Sequence, residues 1–142
     1  MVKIVINGNP ATKKNSMQIV KNRYTGQPRL IQSKTYRAYE EWFTKQFLVF
    51  YHRDMETWQE SCPINRKINL KCIYYMETKR KVDLVNLLNA TCDCLVKVGV
   101  LLDDNHNIIA GVDGSRVYYD KDNPRVEIYI EELENDNWIW TF

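Results

Sequence analysis

The chain has 142 residues, 44% of them hydrophobic, and its 20 basic and 18 acidic side chains leave a formal net charge of +2. That length and apolar content suit one domain, residues 1–142, with a C-terminal tail from about residue 133. No stretch approaches the roughly 20 apolar residues that span a bilayer, and the N-terminus lacks the basic head and apolar run of a secretory leader, so a soluble cytoplasmic protein is expected.

In chain order, residues 3–7 alternate Ile4 and Ile6 and stop at the turn signal Asn7-Gly8-Asn9-Pro10. A polar basic loop, Thr12-Lys13-Lys14-Asn15-Ser16, leads to two short strand-like pieces, 18–20 and 29–31, which are expected to pair as a hairpin. Ser33 is a suitable cap for the helix predicted next, to about Tyr51. Its aromatics, Tyr36, Tyr39, Phe43, Phe47 and Phe50, recur at steps of three and four and read as a core stripe before a base-stacking platform. Residues 53–66 read as a loop, with Pro63 barring a continuous helix.

Residues 67–76 place Ile68, Leu70, Cys72 and Tyr74 at period two, the pattern of a half-buried strand. A polar crossing, residues 77–81, precedes a second helix that begins at Asp83 and ends near Gly99, a natural left-handed cap. One strand bent at Gly111 and Gly114 is expected over 108–119, and a last strand over 125–131. The tail carries Trp138, Ile139, Trp140 and Phe142, a density of aromatics that suggests docking on the domain or on a second subunit. Strands, helix, strand, helix, strands is the order of an α+β two-layer sandwich, a mixed β-sheet with two main helices packed on one face.

Cysteines stand at 62, 72, 92 and 94, none in a C-x-x-C pair, and the histidines at 52 and 106 add no zinc framework. Reduced core thiols are the expectation.

Chemistry gathers between residues 79 and 107. On a helical wheel Asp83, Asn86, Asn89, Ala90, Asp93 and Lys97 fall in one arc, while Leu84, Val85, Leu87, Leu88, Thr91, Cys92, Leu95 and Val96 fill the other. Asp83 at a helix start is by itself a cap, stabilised by free amides and the helix dipole. Asp103-Asp104, just past that helix, are adjacent carboxylates, and hard oxygen donors suit Mg²⁺ or Mn²⁺. Carboxylates beside a basic run, here Lys79-Arg80-Lys81, are what a phosphodiesterase needs: a metal offsets phosphate charge while cations position the backbone.

A basic run, D-x-D-N opening a helix, an apolar helix and D-D before a strand resembles the RusA family of Holliday junction resolvases of phage and prophage origin. Here the matching residues are Lys79-Arg80-Lys81, Asp83-Leu84-Val85-Asn86 and Leu102-Asp103-Asp104-Asn105; the Lys13-Lys14-Asn15-Ser16 loop and the Asp113-Gly114-Ser115-Arg116 strand also resemble family members. The resemblance implies a RusA-like fold and a homodimeric, Mg²⁺-dependent endonuclease of bacterial host cytoplasm that resolves four-way junctions in recombination and repair. Carried across by position, Asp83 and Asp104 match metal-binding catalytic aspartates, Asp103 adjoins them, and Lys13, Lys14, Lys79, Arg80 and Lys81 are candidates for DNA contact. Two positions depart from the pattern: Val85 stands for the second aspartate and Asn89 for a lysine. Asp103, Asp113, Glu77 and the basic run are the candidates to compensate. Two alternatives stay open, a protein that grips branched DNA without cutting it, and an α+β interaction protein whose aspartates only cap a helix and a turn.

Overall fold

Alternation of apolar and polar residues builds the sheet. In the computed structural model, which describes residues 2–13, 17–32, 34–51 and 62–133, β1 (Val2–Asn7), β4 (Ile68–Met76) and β7 (Arg125–Glu132) carry this pattern. Ile4 and Ile6, then Leu70, Cys72 and Tyr74, then Val126, Ile128 and Ile130 all point to one buried face. β7 lies between β1 and β4 and runs antiparallel to both. Beyond β4, β5 (Ile109–Gly111) and β6 (Arg116–Tyr119) run parallel to it, so the sheet is mixed. β2 (Met17–Lys21) and β3 (Pro28–Gln32) pair antiparallel as the expected hairpin, outside the main sheet.

Two helices cover the buried face, α1 (Lys34–Tyr51) and α2 (Leu84–Lys97), and with the mixed sheet they make the α+β arrangement. Tyr36, Tyr39, Phe43 and Phe47 of α1 all point inward, where each full burial of such a ring contributes about 1.5–3 kcal/mol. Phe50, expected on that stripe, is 62% exposed. Tyr51 takes the inward place instead: it stacks on Phe47, and its hydroxyl meets the amide of Val5 at 2.6 Å and the carbonyl of Val5 at 3.2 Å. The buried Gln46 amide likewise accepts from the Asn7 amide at 2.9 Å and donates to the Asn7 carbonyl at 2.7 Å. Side chains of α1 thus satisfy the free edge of β1, which an edge strand otherwise leaves open to foreign pairing.

Helix α2 starts and stops where its punctuation dictates, with Asp83 as N-cap and Gly99 at φ +86° after the last turn. Tyr74 of β4 and Thr91 of α2 share a buried hydroxyl hydrogen bond of 2.6 Å that pins the helix to the sheet. The buried side of α2 is rotated from the expected wheel. Ala90 is fully buried and Val85 is 62% exposed, because the core arc is centred near Thr91 and Val85 falls just past its rim.

The segment expected as one bent strand over 108–119 divides into β5 and β6. Between them two side chains take the place of the ladder. Asn69 accepts from the Asp113 amide at 2.9 Å and donates to the Asp113 carbonyl at 3.1 Å, and Ser115 Oγ accepts from the Cys72 amide at 3.0 Å. Gly111 permits this approach, since a Cβ there would stand 2.9 Å from Asn69 Oδ1. All four cysteines are free, and burial raises the thiol pKa of Cys72, Cys92 and Cys94 to about 12. Among the described residues no helix is long and apolar enough to cross a membrane. Ser33, residues 14–16, most of the 53–66 loop and the aromatic tail lie outside the described residues.

Candidate active site

The acidic pair Asp103-Asp104 is held between two buried anchors. Upstream, Val100 is bonded to Leu95 and to Ile64, Leu101 is buried, and the Leu102 amide donates to the Ile64 carbonyl at 3.0 Å. Downstream, the amides of Ile108 and Ile109 both donate to the Asn105 carbonyl, at 3.0 and 2.9 Å, and Ile108 is buried. Asn105 Oδ1 accepts from the Asn107 amide at 3.0 Å, an Asx turn that closes the loop. Asp103, Asp104 and Asn105 themselves are exposed.

Within the loop the two carboxylates are not equivalent. Asp103 Oδ1 accepts from the Asp104 amide at 2.7 Å, and Asp103 Oδ2 accepts from the Asn105 side chain at 3.2 Å. Those donors, the amide first, hold the Asp103 carboxyl below the usual aspartate range. Asp104 is pushed the other way, first by partial desolvation and then by its hydrogen bond with Asp103, with the charges of Asp93 and Asp103 adding to the effect. Two close carboxyl groups that divide in this manner are short of positive charge. Among the described residues neither has an ion-pair partner.

Asp83 caps the start of α2. Its Oδ1 accepts from the Val85 amide at 3.0 Å, the work of an N-cap. Ten residues of helix, a rise of about 15 Å, separate Asp83 from Asp93, and it is Asp93 and Cys92 whose electrostatics couple to Asp104. No contact among the described residues ties Asp83 to Asp103 or Asp104. Nor does any group of three His, Cys, Asp or Glu side chains gather there in the spacing a metal ion needs.

The basic candidates divide as well. Lys79, Arg80 and Lys81 lie on the exposed crossing between β4 and α2, where the Thr78 hydroxyl accepts from the Arg80 amide at 3.4 Å and Asn9 Oδ1 accepts from the Glu77 amide at 2.9 Å. Lys79 Nζ stands 5.2 Å from the centre of the Tyr119 ring. Lys13 reaches Asp93 of α2 instead, with Nζ 2.5 Å from Oδ2, and lies over Tyr36; Lys14 is outside the described residues. On the polar face of α2, Asn89 is exposed and Asn86 half-buried, and Val85 adds an exposed apolar side chain in the first turn.

Of the other acids considered, Glu77 is exposed beside the basic run. Asp113 is fastened to Asn69 and lines a cavity of about 370 Å³ with Lys71 and Tyr129, on the sheet face that the helices leave open. Sequence patterning missed the Lys13–Asp93 pair and the tyrosines of β6, since both depend on neighbours distant in the chain.

In chemical terms, Asp103 and Asp104 offer only hard oxygen donors. Mg²⁺ is commonly held by one or two carboxylates together with substrate phosphates and water, without a complete protein cage. The pair fits that mode. In comparison with known proteins, the family model described as Endodeoxyribonuclease RusA matches residues 7–131. No curated protein matches the chain.

Proposed function

The chain belongs to the RusA endodeoxyribonuclease family, and from that premise we propose that it is a Mg²⁺-dependent endonuclease that resolves four-way DNA junctions as a homodimer. The observation that carries this reading is the Asp103-Asp104 pair, anchored on both sides and short of positive charge. Asp104 and Asp103 would hold the cation; Asp83 joins them as a ligand on the family match alone. When bound, a hard divalent ion offsets the negative charge gathering on a phosphodiester and eases deprotonation of water.

The protein's own groups account for the rest. Asp103 is held in place by the Asp104 amide and by the Asn105 side chain, which keeps its carboxylate ready as an oxygen donor. Lys79, Arg80 and Lys81, exposed ahead of α2, grip backbone phosphates and set the strand's register without reading its sequence. Lys13 is spent largely on Asp93 and contributes less.

A second reading is favoured by one observation: Val85 offers no oxygen where the family pattern has an aspartate, and among the described residues no third His, Cys, Asp or Glu joins the pair in metal-holding spacing. The protein would then bind junctions without cutting them. Incubating it with a labelled four-way junction in Mg²⁺, Mn²⁺ or EDTA decides between the two. Paired nicks that EDTA abolishes are expected. Tight junction binding with no nick in either metal would select the second reading.

A further inference from the structure

A row of stacked groups crosses the helix-free face at the end of β4. Register places Arg125 of β7 and Tyr118 of β6 opposite the same residue, Tyr75. The Arg125 guanidinium lies 3.8 Å from the Tyr75 ring centre, and Tyr75 stacks on Tyr118 with centroids 5.7 Å apart and planes 28° from parallel. Asp120 and Glu127 hold Arg125 from the side, at 3.0 and 2.9 Å, so the inner end of the row is anchored. Its outer end is β6, where Tyr118 is 51% exposed. Tyr119, next to it, is 45% exposed and has Lys79 over its ring. The strand end that presents these rings therefore adjoins the exposed Lys79-Arg80-Lys81 run.

We propose that Tyr118 is a stacking platform for one unstacked base at the branch point, while Lys79, Arg80 and Lys81 take the flanking phosphates. The inference rests on the junction-nuclease reading and adds a site to it. A row already ordered by Arg125 and Tyr75 leaves little side-chain entropy to lose when a flat ring is added. Bases within a duplex are covered on both faces, whereas a strand that leaves the stack exposes a π-face to an aromatic platform. The exposed cations that follow β4, with Lys79 over the Tyr119 ring at the same strand end, supply the charge complement that phosphates demand.

The test is binding without cutting. Fluorescence anisotropy in EDTA compares a four-way junction with a uniform duplex of equal arm sequence, for the wild type, Tyr118→Ala and Tyr118→Phe. Tyr118→Ala is expected to weaken junction binding about tenfold, the scale of one lost base–aromatic stack, with duplex affinity and salt dependence unchanged. Tyr118→Phe keeps the ring and should keep the affinity. An unchanged junction affinity for Tyr118→Ala, an equal loss on duplex, or a loss that accompanies a change of oligomeric state in sedimentation would overturn the platform alone. A wild type with no preference for the junction over the duplex would overturn the nuclease reading, and the platform with it.

Discussion

Two acidic places in this fold are treated in opposite ways. On the helix-free sheet face Glu127 is supplied with partners: Arg125 Nε at 2.9 Å, the Tyr129 hydroxyl at 2.9 Å and Lys3 Nζ at 3.9 Å. Burial works against its charge, yet those partners prevail and the carboxyl sits below the usual glutamate range. In the 103–105 loop the exposed Asp104 meets partial desolvation and the neighbouring Asp103, with no ion-pair partner among the described residues, and its carboxyl sits above the usual range. The fold supplies one carboxylate with its own cations and gives the other no ion-pair partner among the described residues, a contrast that accords with the metal role proposed for the 103–105 loop.

The contrast breaks most sharply at Asp104. Asp104→Asn should lower the rate of junction cleavage by more than about a hundredfold, since even the outer partners of a metal site are worth about 10- to 100-fold. Junction affinity should hold or rise slightly, because a negative charge is lost near the phosphates. Cleavage by the variant at the wild-type rate would move the metal away from this loop. Asp83→Asn should have the next largest effect. Asparagine caps a helix about as well as aspartate, so stability should move by only a few tenths of a kcal/mol. A fall in cleavage of about tenfold at unchanged Tm then establishes Asp83 as a ligand; unchanged cleavage leaves it a cap.

Much of this architecture was legible in the residue pattern, for local reasons. Period-two alternation located β1, β4 and β7, the aromatic spacing located α1, and Asp83 and Gly99 bounded α2. What escaped depends on partners far along the chain. The break between β5 and β6 is made by Asn69 and Ser115 reaching across more than forty residues. Tyr51 replaces Phe50 in the core because the edge of β1 needs its hydroxyl. At the site, the adjacency of Asp103 and Asp104 was readable directly. Their position beside the later half of α2 was not, since it follows from the Ile64 bridge and the turn at Asn105. The row Arg125–Tyr75–Tyr118 was equally hidden, because it exists only once three strands are in register.

Val85 offers a gain where the other variants give losses. It is exposed in the first turn of α2, where an added carboxylate is favoured by about 0.3–1 kcal/mol through the helix dipole. Val85→Asp therefore costs no stability and restores an oxygen donor of the family pattern. The Mg²⁺ concentration for half-maximal cleavage should fall severalfold, read from initial rates across a titration. No change would mean that the first turn of α2 does not face the ion.

The smallest effect is expected at the satisfied acid, and its sign tests the comparison from the other side. Because Glu127 is depressed in the fold, its partners stabilise the native state fully above the carboxylate range of the unfolded chain. That contribution disappears as pH falls through the lowered native value. Glu127→Gln removes the charge that Arg125, Lys3 and Tyr129 share, and should cost about 1 kcal/mol near neutral pH, a few degrees in Tm. In acid below the native carboxyl value the wild type and the variant should converge, as both are then uncharged at this position. Cleavage per folded molecule should be unaltered throughout. A Tm gap that persists or widens in acid would mean that the side chain acts by packing and not by charge. A cleavage loss at constant fold would place Glu127 in the chemistry and erase the distinction between the two acidic regions.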